Sequence, residues 1–331
     1  MRLLMLGTGP FAVPTFHCLC ESRHEVAAVV TRPERSSPGR RAIQPHPMRQ
    51  AAEERGVPVL APDDVNADDA VRALSDIRPD LLVVCDFGQI LSAGVLATAR
   101  LGGINLHGSL LPKYRGAAPV NWAIFHGETE TGVTAFHVTP RLDAGPILSH
   151  RRTAIGPEET AIELEQRLSQ LGVDAVREAI DVLERWDGIS PIGTKQDAAK
   201  ATRAPRLKKS DGQVDWSRSA RQICDQVRAL KPWPGTFTTW QRTDGKPIRL
   251  ILDRVSVVAE IGSSPGENAH PTTEPGTIVA ADSTKEAVRL RVATGRGVLS
   301  LDAVQPEGKR VMTAGQFLNG HPIRPGDRLG T

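Results

Sequence analysis

Asn105 and His107 stand two apart in Ile104-Asn105-Leu106-His107-Gly108-Ser109-Leu110-Leu111-Pro112, and Asp143 follows in Leu142-Asp143-Ala144-Gly145. Two glycines precede residues 104–107, apolar residues alternate through them and Gly-Ser follows, the composition of the end of a buried strand. Side chains two apart on a strand share a face, so Asn105 and His107 point one way and Leu106 points into the opposite layer. An amide beside an imidazole suits acyl transfer: the imidazole moves a proton and the amide binds the oxygen that becomes negative. One small site could use all three polar residues. Spacing alone does not bring Asp143 to His107, and Leu-Asp-Ala-Gly is also a turn composition that an aspartate caps.

Those residues need a scaffold. Residues 1–189 alternate strand patterns (3–6, 26–30, 57–60, 81–85, 104–107, 132–138) with helical ones (around 16–19, 47–55, 70–77, 119–125), and a long amphipathic stretch over 158–186 closes the series. Such alternation gives an α/β fold with a Rossmann-like, mostly parallel sheet covered on both faces. Ligands of such sheets sit beyond the carboxyl ends of the strands. Cys85-Asp86-Phe87-Gly88 and Asn105-Leu106-His107 are both ends of that kind. Gly7-Thr8-Gly9-Pro10-Phe11-Ala12 has the G-x-G-x-x-A form of a dinucleotide fingerprint. The second strand, however, ends Val30-Thr31-Arg32 with no acid for a ribose hydroxyl, and a tight strand-to-helix turn also accounts for the glycines. Because Arg32 could hold a 2′-phosphate, an NADP oxidoreductase stands as an alternative from another class.

At 331 residues and 40% hydrophobic, the chain has room for two domains with full cores. It has no apolar run of membrane-spanning length and no secretory pattern at Met1, so the expected location is the cytoplasm. Cys18-Leu19-Cys20 is too cramped for a zinc knuckle, so reduced thiols and no metal are expected. Charge is uneven. Residues 1–189 carry 19 Lys+Arg against 24 Asp+Glu; residues 190–331 carry 22 against 14. A basic second part suggests a polyanionic partner. Between Lys195 and Lys209 there are six basic residues and one acid, so 190–210 reads as a basic linker. Residues 211–331 then read as a helix around 219–230 and short β-runs (248–252, 255–258, 276–279, 287–292, 298–301), the composition of a small OB-like barrel. A non-catalytic RNA-binding protein built on that barrel is a further alternative.

Asn105-x-His107, Ser109-Leu110-Leu111-Pro112-x-Tyr114-Arg115-Gly116, Glu130-Thr131-Gly132-Val133-Thr134 and Leu142-Asp143-x-Gly145 resemble the signature of formyltransferases that use 10-formyltetrahydrofolate. Gly39-Arg40-Arg41 with Pro45-x-Pro47 resembles the basic loop of the methionyl-tRNA branch of that family. Asp215-Trp216-Ser217, Arg228-Ala229-Leu230-x-Pro232-Trp233-Pro234-Gly235, Gly308-Lys309-Arg310-x-Met312 and Phe317-x-Asn319-Gly320 resemble that branch's C-terminal domain. The resemblance runs nearly end to end. It implies formyl transfer to the α-amino group of methionine on initiator Met-tRNA, with Asn105, His107 and Asp143 catalytic. It further implies that Ser109, Leu110, Leu111 and Pro112 form the floor of a folate slot, for which Phe87, Gly88, Gln89 and Ile90 and residues 138–143 at the strand ends read as walls, with tRNA contacts expected at Arg40, Arg41, Lys208 and Lys209. The implied division is a catalytic domain over 1–189, a linker over 190–210 and a tRNA-binding domain over 211–331, working as a monomer. Amino-sugar nucleotides or other small amines are the alternative acceptors. Asp86-Phe87 and Pro146 depart from the family pattern, which more often has a small residue and Tyr, and an acid, there.

Overall fold

β1 (Arg2–Leu6) lies inside the first sheet because Leu3 to Leu6 can give up all contact with water, and each is 0% exposed. The computed structural model describes residues 1–34, 46–242, 245–259, 273–283 and 288–330. Those residues fall into two compact units: 1–120, 129–156 and 163–206 in the first; 121–128, 157–162 and 207–330 in the second.

In the first unit β2 (Glu25–Val30), β3 (Val59–Leu60), β4 (Leu81–Cys85) and β5 (Gly103–His107) run parallel with β1. A two-residue strand, β6 (Arg115–Gly116), stands outside this sheet. β7 (Glu130–His137) and β8 (Ile147–Ala154) complete it as an antiparallel hairpin, in the order β3-β2-β1-β4-β5-β7-β8. The chain moves to one side of β1 through β3 and returns to the other side at β4. The strand order therefore reverses between β1 and β4, where α/β sheets place ligands. β4 reads Leu-Leu-Val-Val-Cys without alternation because both its faces are buried. β8 was not expected from the sequence: it is the edge strand, and its half-exposed Ser-His-Arg-Arg run has no continuous apolar signal.

Helices cover both faces. In chain order they are α1 (Val13–Cys20), α2 (Pro47–Glu54), α3 (Asp68–Asp76) and α4 (Ala93–Leu96), then, after α5 (Pro119–Phe125), most of which belongs to the second unit, α6 (Ala161–Glu184). Leu74 of α3 and Val95 of α4 pack with Leu4, Leu6, Leu82 and Val84 on one face. Gly172 of α6 lies against Leu106 on the other. Local chemistry starts them: Pro47 opens α2, where its missing N–H costs nothing, and Ser92 accepts from Val95 N at 3.3 Å to cap α4. β9 (Arg203–Ala204) pairs in parallel with β6.

The second unit holds α7 (Ala220–Ala229), opened by a reciprocal Ser219–Gln222 capping box. Its strands are β10 (Thr236–Gln241), β11 (Ile248–Ala259), β12 (Ile278–Ser283), β13 (Val288–Ala293), β14 (Val298–Pro306), β15 (Met312–Thr313) and β16 (Arg328–Leu329). They order as β12-β13-β14-β11-β10-β16, with β15 on β14. Leu329 N donates to Gly276 O and Ile278 N to Asp327 O, both at 2.8 Å, which joins the two edges into a nearly closed barrel. Trp216, Trp240, Leu250, Leu299 and Phe317 of α8 (Ala314–Gly320) fill it. The two runs expected at 248–252 and 255–258 are one strand. Its register against β14 shifts around Leu252–Arg254, a bulge that accommodates the Asp-Arg interruption.

Candidate active site

The strand alternation places Asn105 and His107 as the sequence suggested. Asn105 is half-buried, and its carboxamide has no hydrogen bond to protein among the described residues. His107 is buried, and its ring Nε2 lies 2.8 Å from the Tyr114 carbonyl. A carbonyl only accepts, so Nε2 carries the proton and Nδ1 is the nitrogen left for chemistry. Nδ1 lies 3.8 Å from Asp143 Oδ2, with the Asp143 side chain 10% exposed. That gap is too long for a direct hydrogen bond and leaves the two groups facing each other.

Asp143 comes from the loop joining β7 to β8. That loop leaves the sheet where Val138 N bonds Gly103 O, at the opposite end of β5 from His107. Two other segments hold it in place. Gly116 N donates to Asp143 Oδ2 at 2.8 Å. Gln196, buried in the stretch expected as linker, donates from Nε2 to the carbonyls of Asp143 and Gly145 at 2.9 and 2.8 Å. Tyr114 N in turn donates to Thr202 Oγ1 at 2.8 Å. Gly116 sits at φ +125°, and a Cβ there would lie 2.4 Å from Ala204 O, so the β6–β9 approach demands glycine. Tyr114 (φ +62°), Asp143 (φ +46°) and Asp86 (φ +49°) are three of the four described non-glycine residues with left-handed backbone. Such conformations cost about 1–3 kcal/mol each and persist where the surroundings over-determine them. Two of them, Tyr114 and Asp143, flank the His107 ring.

The residues expected to hold the folate divide by role. Ser109 is fully buried and donates to Lys113 O at 2.7 Å. Thr134 Oγ1 donates to Ser109 O at 2.7 Å and accepts from Leu111 N at 3.1 Å, so β7 fixes the Ser109-Leu110-Leu111-Pro112 loop. Phe87 is only 2% exposed and its ring belongs to the core. What segment 87–90 offers to solvent is Gly88, part of Gln89 and the side chain of Ile90, 66% exposed. Gln89 anchors that segment by accepting from Val65 N at 3.0 Å.

The glycines of 7–12 serve packing. A Cβ on Gly9 would lie 1.8 Å from Asp86 Oδ2. A carboxylate thus occupies the mouth of the turn, where a dinucleotide would need its pyrophosphate, and the NADP alternative loses its basis. Asp86 is exposed at its outer edge, while neighbouring protein such as Gly9 crowds its carboxylate. Loss of hydration, and secondly the charge of Glu165, push its carboxyl up to about 6.

Of the expected tRNA contacts, Arg40 and Arg41 lie outside the described residues. Lys208 and Lys209 are exposed and make no ion pair among the described residues. Lys195, Lys200, Arg203 and Arg206 are exposed around the buried Gln196 and Ala204. The charges of this stretch are legible in the sequence and Gln196 is not, since a single glutamine among basic residues gives no periodic or apolar signal.

Fold and site together define a formyltransferase in two parts. The formyl transferase family model matches residues 1–180, and the formyl transferase C-terminal domain model matches residues 206–322. The methionyl-tRNA formyltransferase of Rhodopirellula baltica is 42% identical over 336 aligned residues, covering 99% of this chain and 96% of that protein. The methionyl-tRNA formyltransferase of Geobacter metallireducens is 41% identical, covering 100% and 99%. The chain belongs to the methionyl-tRNA formyltransferase family. Among solved structures, HypX from Aquifex aeolicus in complex with tetrahydrofolic acid superposes with a TM-score of 0.58 at 19% identity, over 100% of this chain and 51% of that one. The N-formyltransferase from Helicobacter canadensis, in complex with folinic acid and dTDP-3-aminofucose, gives 0.61 at 16%, over 91% and 99%. At these identities the likeness is one of fold.

Proposed function

We propose that this protein transfers the formyl group of 10-formyltetrahydrofolate to the α-amino group of methionine on initiator Met-tRNA. The observation that carries the chemistry is the meeting of His107 and Asp143 at 3.8 Å from segments 36 residues apart, beside the free carboxamide of Asn105. The full-length kinship with methionyl-tRNA formyltransferases favours that acceptor over an amino sugar.

10-Formyltetrahydrofolate supplies an activated formyl carbon. Asn105 donates to the formyl oxygen as the amine attacks and that oxygen gains negative charge. One such donor is typically worth about 100- to 1,000-fold in rate. The amine must lose a proton, and the folate nitrogen that departs must gain one. Asp143 and the Nδ1 side of His107 take the first and return the second, so the protons balance and no covalent enzyme intermediate or metal is required. The Tyr114 carbonyl keeps the imidazole in the tautomer this needs. Ile90, the Gly88 backbone and the loop 109–112 form the walls and floor for a flat pterin.

We assign transfer to residues 1–189, with 190–210 as a basic connection and 211–331 as the tRNA-binding part. Lys208 and Lys209, with Arg40 and Arg41, contact tRNA phosphates. We place a monomeric enzyme in the cytoplasm; no described helix is long and apolar enough to cross a membrane. The test is transfer of labelled formyl from the folate to charged initiator tRNA, with charged elongator tRNA as control. Label on the initiator alone supports the assignment, and label on neither removes it.

A further inference from the structure

We infer that Gln196 is a positioning residue for the transfer: its carboxamide sets the Asp143 turn that brings the carboxylate to His107. This rests on the function proposed above and adds a residue to it. Gln196 is buried, and every hydrogen-bonding capacity of its amide is used. Nε2 donates to Asp143 O at 2.9 Å and Gly145 O at 2.8 Å. Oε1 accepts from Arg115 Nε at 3.2 Å and Nη2 at 2.6 Å.

The first bond acts on Asp143 itself. Asp143 holds a left-handed backbone at φ +46°, which an L-residue leaves unless its surroundings prevent it. Gln196 grips the peptide group on the far side of that residue. Relaxation to an ordinary φ would carry the carboxylate away from Gly116 N and from the ring. The Oε1 bonds act on the other half of the bracket. Arg115 adjoins Tyr114, whose carbonyl fixes the imidazole, and Gly116, whose N–H fixes the carboxylate. One side chain thus ties together the segments that orient both members of the proton-handling pair. The strap carrying it is anchored at either end, by reciprocal Thr194–Ile147 backbone bonds of 2.8 Å and by β9 on β6.

The residue type follows. Glutamate would accept from Arg115 but, ionised, would present a second oxygen to two carbonyls. Methionine has similar length and no polar contact. The experiment compares Gln196→Met and Gln196→Glu with the native enzyme in kcat, KM and hydrogen exchange. For Gln196→Met we expect kcat to fall by roughly 10- to 100-fold, the scale of a displaced catalytic group, with both KM values nearly unchanged. For Gln196→Glu we expect a loss at least as large at pH 8. Its kcat relative to native enzyme should recover partly at pH 6, as the acid gains a proton and can donate. A loss of folding alone would lower the active fraction of both variants without that pH-dependent recovery. Hydrogen exchange over residues 139–147 should quicken in the methionine variant while the barrel is unchanged, whatever the acceptor substrate proves to be. Native kcat in Gln196→Met, a loss confined to KM, or unchanged exchange in that loop would overturn the inference. Absence of transfer by the native enzyme with faster exchange in the variant would instead overturn the acceptor assignment alone.

Discussion

The Tyr114 carbonyl, 2.8 Å from His107 Nε2, decides which imidazole nitrogen can react. With Nε2–H committed to that carbonyl, Nδ1 faces Asp143 across 3.8 Å. The group that orients the imidazole is thus a backbone carbonyl in a left-handed residue, which leaves the carboxylate for the proton transfer proposed above.

Asp143→Asn separates charge from shape. The amide oxygen can still accept from Gly116 N, and asparagine tolerates a left-handed backbone as well as aspartate does. We expect a thermal midpoint close to that of the native protein and a turnover loss of roughly 100-fold or more, the scale of a general acid–base group. Steady-state kinetics with thermal unfolding of the same samples checks both. Retained turnover would remove the carboxylate from the mechanism.

Asp86 gives a pH signature in stability. Its folded carboxyl titrates at about 6, above the ordinary 3.8, because lost hydration and then Glu165 oppose its charge. Between those values the folded protein binds more protons than the unfolded chain. The stability this group contributes is therefore complete below about pH 3.8 and is lost as pH rises through about 6. Asp86→Asn should abolish that component, so the variant gains midpoint relative to native enzyme at pH 7 but not at pH 4. Chemical denaturation across that range tests it; parallel curves would contradict the assignment. Partial solvent contact keeps the gain small.

Binding of tRNA should weaken steeply with salt, each neutralised phosphate adding about 0.7–0.9 to the slope of log K against log salt. Replacing Lys208 and Lys209 together by alanine should flatten that slope by about 1–2 and leave single-turnover transfer at saturating tRNA unchanged. Filter binding at several salt concentrations measures it. An unaltered slope would place both ammonium groups away from the RNA.

Particular residues show how far the sequence could be followed. Leu81 to Cys85 and Leu3 to Leu6 announced buried parallel strands because both faces need apolar side chains. Asn105 and His107 were placed on one face by period-two geometry alone. Asp143 was found by type and not by position: its loop leaves the sheet beside Gly103, and tertiary bonds from Gly116 and Gln196 hold it at the ring. β8 and β10 were missed because an Arg-rich edge and a Thr-rich run lack an apolar alternation. Gln196 was hidden for a related reason, since its role lies wholly in hydrogen bonds to distant backbone. The charges proposed to meet tRNA were legible as composition, whereas the targets of such charges are set by a partner molecule.

The most direct measurement is the single-turnover rate of formyl transfer by Asn105→Ala and His107→Ala at saturating initiator Met-tRNA, with the tRNA dissociation constant measured alongside. The expected result is a rate reduced by roughly 100-fold or more in each, with tRNA binding unchanged. A rate close to native in His107→Ala would contradict the account.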